Sequence, residues 1–412
     1  MSDENNRKII DILEKELVVA LGCTEPASIA YVSSIAQKYF KGTINRIEIE
    51  CSTNIIKNVH GVSIPNTNNR KGIKYAVAAG IIVNNCSKKL KILDSLNSSD
   101  VNLLDEFVNT KDIKIIKSDE NDALFIKVNL LGSGEKVSVE LKGEHTNIIK
   151  IIKNDIIIFE KNNDELLSDK KYDLNFDEIY DFVNNLDSTL IPSCIENQVY
   201  LNYDIGKWGL LNNKEINIGQ YFVHENFDVA ITASASEARM SGCDMPVIIN
   251  SGSGNQGLIV SLPIISYAKR NNIDQEVLYR AIMLSNLLAI WQKQEFNKLS
   301  AFCGAVNAAA ATGAAITWLR GGNKNQIKSC INNTLASIAG IYCDGAKVSC
   351  AFKVAISVEN AILASSMVMN NKVFHSGEGL IKATVEETIH NTASIVNKCS
   401  NLDNLILDAI LN

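Results

Sequence analysis

The chain reads as an α+β protein, a mainly helical catalytic domain joined to a smaller antiparallel β-containing domain. Three observations predict this. The C-terminal half carries long Ala- and Ser-rich stretches at helical spacing, such as "QEVLYRAIMLSNLLAIWQK" and "SCINNTLASIAGIY". Residues 112–161 instead alternate apolar and polar side chains in short runs, broken by the turn-like "SDEND", "GSGE" and "KGEH". Finally, 412 residues with 46% hydrophobic and 21% charged side chains suffice for two domains with sizeable cores.

In chain order, Ile9, Ile10, Leu13 and Leu17 mark an amphipathic helix over residues 4–19. A second helix is expected over 26–39. "INRIEIECS" (44–52) alternates as a strand, and "GIKYAVAAGIIV" reads as a small-residue helix. The texture changes over about 87–170, where hairpins of an antiparallel sheet are expected, and "NDELLSDKKYDLNF" reads as a polar linker. The division that follows is 1–40 as N-terminal helices packing on the catalytic domain, 41–170 as an α/β domain with an antiparallel sheet, and 171–412 as the helical catalytic domain.

Net charge is −6 and no dense Lys/Arg stripe occurs, so nucleic acid is not an expected partner. The opening "MSDENNRKIIDILEKEL" is polar and acidic, unlike a secretory signal. Ten cysteines in such a chain point to a reducing cytoplasm and free thiols. "AFCGAVNAAAATGAAITWL" (301–319) has the length of a membrane span, but its Ala and Gly content, Asn307 and two threonines mark a tightly packed buried helix. No membrane partner is expected, and self-association into a homo-oligomer is left open.

"NSGSGNQG" contains Gly252-x-Gly254-x-x-Gly257, the spacing of a dinucleotide fingerprint, with Asp274 about twenty residues on. Yet no strand precedes Asp274, which reads as a helix N-cap, and Pro263 sits badly in the required helix. A Ser/Gly loop opening a helix also presents N–H groups and hydroxyls to an anion. Ser251, Gly252, Ser253, Gly254 and Asn255 are thus candidates to hold a carboxylate. A tight turn for close packing explains the glycines equally well.

Cys303 lies in "LSAFCGA", and Cys343 and Cys350 in "IYCDGAKVSCAFK". No C-x-x-C pair occurs, and the five histidines show no paired metal spacing. Three cysteines on one cubane would leave an iron without a protein ligand, open as a Lewis acid. Three buried thiols are the plain alternative. Cys86, Cys194, Cys330 and Cys399 read as buried small hydrophobes. In "LGCTEPASIAYV", Cys23 falls at a helix start with Pro26 in the first turn, where the helix N-terminus favours a thiolate. A reactive thiol and a bystander in a capping turn both fit.

In this order, "LGCTEPASIAY", "STNIIKNVHGVSIPNT", "NSGSGNQG", "LSAFCGA" and "CDGAKVSCAFK" resemble the L-cysteine desulfidase family, which is related to the alpha chain of iron–sulfur L-serine dehydratases. The resemblance covers nearly the whole chain. It implies an oxygen-sensitive [4Fe–4S] cluster on Cys303, Cys343 and Cys350, and no pyridoxal phosphate. It implicates Cys23 as a ligand or a reactive thiol, here taken as the catalytic base. The implied reaction is β-elimination from a small amino acid, L-cysteine, giving pyruvate, ammonia and sulfide. Dehydration of L-serine by the same mechanism and non-catalytic cysteine sensing are the alternatives. The 251–255 loop would dock the carboxylate, the open iron would take the β-substituent, and Lys57 and Asn58 would contact the carboxylate or position the thiol. Asn297 and Lys298 stand where a Gly-Arg-like pair is expected, a departure that bears on substrate selectivity.

Overall fold

Ile9, Ile12, Leu13 and Leu17 do form one apolar stripe, and it anchors α1 (Asp3–Glu16) in a core of C-terminal helices. The computed structural model describes residues 3–97, 99–120, 122–161, 172–212, 216–296, 299–399 and 401–412. The Asn297–Lys298 departure and most of the polar linker lie outside the described residues.

After β1 (Val19–Leu21) comes α2 (Thr24–Tyr39), buried along its first thirteen residues. β2 (Arg46–Cys51) follows, then α3 (Thr53–His60), α4 (Ile73–Val83) and α5 (Asp100–Thr110). Next come β3 (Asp112–Lys117), β4 (Phe125–Gly132), β5 (Glu135–Lys142), β6 (Ile148–Lys153) and β7 (Ile156–Glu160). These strands form a sheet of order β3-β2-β4-β5-β6-β7. Ile47, Ile49 and Cys51 of β2 are buried while Arg46, Glu48 and Glu50 are more exposed, the period of a half-buried strand. The hairpins from β4 to β7 are antiparallel as expected. The sheet as a whole is mixed, because β2 and β3 run parallel. The helical crossover α3–α5 between them supplies the connection that a parallel pair requires.

The remaining helices are α6 (Phe176–Asn185), α7 (Ser193–Leu211), α8 (Phe227–Met240), α9 (Gly254–Ile259), α10 (Leu262–Arg270), α11 (Gln275–Lys293), α12 (Ala305–Leu319), α13 (Lys324–Ile338), α14 (Cys350–Met369), α15 (Val385–Lys398) and α16 (Leu402–Leu411). The Ala-rich stretch is α12, buried through Thr317 between α11, α13 and α14. Small residues let these backbones approach: a methyl group on Gly313 would stand 2.7 Å from the Ala361 carbonyl oxygen. Among the described residues, α14 is the helix long and apolar enough to cross a membrane by length and composition, and it packs on α12, α8 and α13.

Two large apolar cores result among the described residues, beside two small clusters. One gathers α1 and the C-terminal helices; the other gathers α2–α5 and the sheet. The first forty residues are therefore shared between them, α1 in the helical core and α2 in the sheet core. α8 joins the two, with Val229 and Ala233 in one core and Ile231, Ala235 and Ala238 in the other. β8 (Pro246–Ile248) pairs antiparallel with β1 beside it.

α2 and α4 touch backbone to backbone, since a methyl on Gly80 would meet the Ala30 carbonyl oxygen at 2.1 Å. Backbone cannot yield as a side chain does, so Gly80→Ala should destabilise the protein by about 1–3 kcal/mol. Urea unfolding would show this as a lower midpoint at unchanged slope. An unchanged midpoint would show that the two helices are not held at this separation.

Candidate active site

The "GCTEP" turn begins at Gly22, whose φ of +68° and contact with Pro65 (2.4 Å to an added methyl) exclude a side chain. It ends in the first turn of α2, where Glu25 collects hydrogen-bond donors. Cys23 Sγ donates to Glu25 Oε2 at 2.9 Å, and Asn58 Nδ2 to Oε1 at 2.9 Å. Thr24 Oγ1 stands 3.0 Å from both Glu25 Oε2 and the Gly252 carbonyl oxygen, so its one proton serves both. His145 Nε2 lies 4.0 Å from Glu25 Oε1. Burial pushes the Glu25 carboxyl up, but the facing His145 and the Cys23 donor outweigh it and hold it below the usual carboxylate range.

This environment disfavours a resting thiolate at Cys23. The sulfur does sit at the N-cap of α2 and does line the cavity described below. Burial, followed by the negative charge of Glu25, raises its pKa well above that of a free thiol, and the nearby Arg239 does not compensate. The place of Cys23 is that of a hydrogen-bond donor to Glu25.

The glycine-rich loop opens a helix as expected, the short α9. Ser251 (φ +48°) and Gly252 (φ +77°) turn the chain, and Ser253 Oγ caps the helix by accepting from Gln256 N at 3.4 Å. Ser251 Oγ donates to Asn250 Oδ1 at 2.9 Å. Asn255 Oδ1 accepts from Arg239 Nη1 at 2.6 Å and from Ser236 Oγ at 3.0 Å. The loop's hydroxyls are thus engaged in holding its own shape. Its glycines each meet a neighbour: an added methyl would stand 2.9 Å from His145 Cε1 at Gly252, 2.3 Å from Arg239 Cζ at Gly254 and 2.2 Å from the Ile248 carbonyl oxygen at Gly257. The dinucleotide fingerprint fails structurally, because α10 rather than a strand precedes Asp274, and Asp274 caps α11 through Glu276 N at 2.9 Å.

Cys303 and Cys343 flank a two-residue antiparallel bridge between Phe302 and Tyr342. Cys303 N donates to Ile341 O at 2.9 Å and Cys343 N to Ala301 O at 2.7 Å. Side chains alternate across such a ribbon, so the two thiols share the face opposite the Phe302–Tyr342 ring contact, as diagonal neighbours. Cys350 begins α14 after a tight loop in which Gly345 (φ +90°) lies against the Lys57 carbonyl oxygen, 2.3 Å from an added methyl. All three thiols, the 251–255 loop, Cys23, Glu25 and Asn58 line one cavity of about 110 Å³. Burial pushes the Cys303 thiol up to about 12, and Cys343 and Cys350 push it in the same direction, so the three sulfurs feel one another.

Among the described residues, no three His, Cys, Asp or Glu side chains gather around a single metal ion. Thiolates on one tetrahedral ion stand only about 4 Å apart, given metal–sulfur bonds of about 2.3 Å. Ligands of a multi-iron cluster bind separate irons and stand farther apart. The donor chemistry suits such a cluster. Lys293 is buried on the same wall with no carboxylate partner among the described residues; burial lowers it to about 8, while Cys343 and Cys303 pull it back up. A buried ammonium beside three thiols is what a set of thiolates would require.

Lys57 departs from its expected role. Its ammonium is fully buried against Asp403 of α16 at 2.5 Å and does not line the cavity. Sequence reasoning passed over Glu25, His145, Arg239 and Lys293. Glu25 stood inside the quoted "GCTEP", and His145 inside the "KGEH" break taken only as a turn. Arg239 and Lys293 carry no motif and become evident only from their burial.

The cavity lies where the helical and the sheet-containing cores meet. The family described as serine dehydratase alpha chain matches residues 87–408, more than three quarters of the chain. The chain is also 40% identical over 419 residues to a UPF0597 protein of Lachnoclostridium phytofermentans, covering 98% of this chain and 100% of that one. It is 39% identical to a UPF0597 protein of Treponema denticola, with 94% of each chain covered. A UPF0597 protein of Finegoldia magna is 37% identical over 94% of this chain and 95% of its own. This chain belongs to the serine dehydratase alpha chain family.

Because Cys23 is buried and protonated, it should react with iodoacetamide more slowly than a free cysteine at neutral pH, and its thiolate should emerge only well above the ordinary pKa of about 8.5. Peptide mapping after timed alkylation across pH would check this. Rapid labelling at pH 7 would restore the thiolate assignment.

Proposed function

We propose that the protein catalyses β-elimination from a small L-amino acid, with L-cysteine as the favoured substrate, giving pyruvate, ammonia and sulfide. The observation that carries this reading is the convergence of Cys303, Cys343 and Cys350 with the 251–255 loop and the "GCTEP" turn on one small cavity, in a chain of a dehydratase family. A cavity of about 110 Å³ suits an amino acid. Pockets for drug-sized ligands occupy roughly 300–1,000 Å³, which argues against a dinucleotide.

Cys303, Cys343 and Cys350 are the residues that would hold a [4Fe–4S] cluster. When bound, it would supply an open iron acting as a Lewis acid toward the β-substituent. Lys293 offsets the thiolates' charge from within the cavity wall. Lys353 donates to the Tyr342 carbonyl oxygen at 2.7 Å and pairs with Asp344, bracing the loop that carries Cys343. Gly252, Gly254 and Asn255 line the cavity, where their backbone N–H groups would be available to the substrate carboxylate beside Arg239. Cys23 Sγ keeps its proton and fixes the orientation of Glu25, as a positioning residue. Burial excludes bulk water until the eliminated enamine tautomerises to an imine and hydrolyses to pyruvate and ammonia. The reading calls for no pyridoxal phosphate, and a reducing cytoplasm would keep the thiols available. L-Serine would follow the same course with water as the leaving group.

The test is anaerobic reconstitution with iron and sulfide, followed by assays on L-cysteine and L-serine. About four irons per chain are expected. Sulfide and pyruvate should appear in equal amounts from L-cysteine, faster than pyruvate from L-serine. Cys303→Ser should lose iron and turnover together, and Cys86→Ser neither. Turnover of L-serine alone would make the protein a dehydratase in the narrow sense, and a loaded protein consuming neither amino acid would end the elimination reading. Cys23→Ser, which keeps a donor to Glu25, should retain turnover within about tenfold, whereas Cys23→Ala should lose more. Equal losses would remove the positioning role.

A further inference from the structure

The cavity wall holds two fixed opposite charges that do not neutralise each other. Glu25 is 6% and Arg239 2% exposed, and both line the cavity. Among the described residues they form no ion pair with one another: Arg239 is held by neutral partners, and Glu25 by Cys23, Thr24 and Asn58 with His145 facing it at 4.0 Å. Arg239 donates from Nε and Nη2 to the Gly22 carbonyl oxygen at 3.2 and 2.8 Å, and from Nη1 to Asn255 Oδ1. A guanidinium has five N–H donors, so two are uncommitted. A carboxylate offers about four acceptor positions; among the described residues Glu25 Oε1 accepts a hydrogen bond from Asn58, with His145 Nε2 farther off at 4.0 Å.

The neutral side chains around them point the same way. Asn58 Oδ1 and Gln256 Oε1 belong to buried, cavity-lining residues and have no hydrogen-bond partner. The amide of Asn58 cannot be reversed, because a carboxylate accepts only, so its nitrogen must face Glu25 and its oxygen must face away. His145 Nε2 is likewise buried without a partner, but at 4.0 Å from Glu25 Oε1 it is beyond hydrogen-bond reach, which leaves Glu25 Oε1, Asn58 Oδ1 and Gln256 Oε1 as three acceptors short of donors. An ammonium group carries three N–H donors. Uncompensated buried acceptors are costly, which makes them evidence for a missing donor.

We propose that Glu25 and Arg239 form a clamp for a zwitterion: Glu25, with Asn58 and Gln256, takes the α-ammonium of the substrate, and Arg239 takes its α-carboxylate. The clamp deepens the elimination reading by assigning the groups that restrict it to α-amino acids, and it rests on that reading for the identity of the site. It explains why Gly254 has no side chain, since the guanidinium lies directly against it. It also gives the Cys23–Glu25 and Arg239–Asn255 hydrogen bonds one purpose, to fix two charges at a set separation. A ligand lacking either group leaves one buried charge unpaired, the situation in which polar sites discriminate most strongly.

L-Alanine, propanoate and ethylamine test this without turnover, because none has a β-leaving group. Calorimetric titration of the reconstituted protein should show L-alanine binding at least about 100-fold tighter than propanoate or ethylamine. Glu25→Gln should bring L-alanine down to the affinity of propanoate, and Arg239→Gln down to that of ethylamine, with Arg239→Lys recovering part of the loss. The comparison on the unmodified protein stands even where a variant fails to fold. Equal affinities for the three ligands would overturn the clamp whatever the catalytic result. Discrimination as expected, without consumption of cysteine or serine, would uphold the clamp and remove the elimination chemistry.

Discussion

The site depends on the buried guanidinium of Arg239. It reaches from the last turn of α8 to the Gly22 carbonyl oxygen on one side and to Asn255 on the other, and so ties together two turns more than two hundred residues apart in sequence. Backbone pairing brings them close: β1 leads into Gly22, β8 leads into the glycine-rich loop, and the two strands pair from Val19↔Ile248 to Leu21↔Pro246. The Thr24 hydroxyl adds a second link to the Gly252 carbonyl oxygen. Burying a cation is expensive unless its donors are met, and leaving one of its donors without a partner costs about 1–3 kcal/mol or more. The same interaction that shapes the cavity therefore also joins the two cores, because α8 belongs to both.

The wall bearing Cys343 and Cys350 is secured from the opposite direction. Gly345 packs on the Lys57 carbonyl oxygen, and the Lys57 ammonium is held by Asp403, with Asn54 Nδ2 joining that carboxylate at 3.2 Å and Thr53 reaching Asn404 at 2.9 Å. α3 is thus a rigid spacer between the C-terminal helix and the thiol loop. It also presents Asn58 to the cavity one residue beyond Lys57. Adjacent helical positions point in different directions, about 100° apart, which is why one of the pair faces the site and the other faces away.

Periodicity made the α+β class legible, and the hairpins β4 to β7 announced themselves through alternation and turn residues. The parallel pairing of β2 with β3 was not legible, because it depends on how three intervening helices cross the sheet. In the site, the motif residues Cys303, Cys343, Cys350, Asn58 and the 251–255 loop do share one cavity. At Cys23 a sequence shows a helix start but not the burial that raises a thiol, nor the Glu25 carboxylate two positions later that accepts its hydrogen bond. Lys57 shows the converse limit: a lysine beside a site residue looks functional until its carboxylate partner, more than three hundred residues away, is seen.

The two fixed charges come from different parts of this assembly. Glu25 rides on α2, which packs on the sheet, whereas Arg239 rides on α8, which spans both cores. Glu25 is held by Cys23, Thr24 and Asn58, and Arg239 by the Gly22 carbonyl oxygen and Asn255, so each charge has hydrogen-bond partners other than its opposite. Holding the charges apart leaves their unused donors and acceptors directed at whatever occupies the cavity. A ligand carrying both charges then joins α2 to α8 through itself, and its binding free energy adds to the stability of the junction by mass action. Recognition of the ligand and cohesion between the two cores are, in this fold, one interaction.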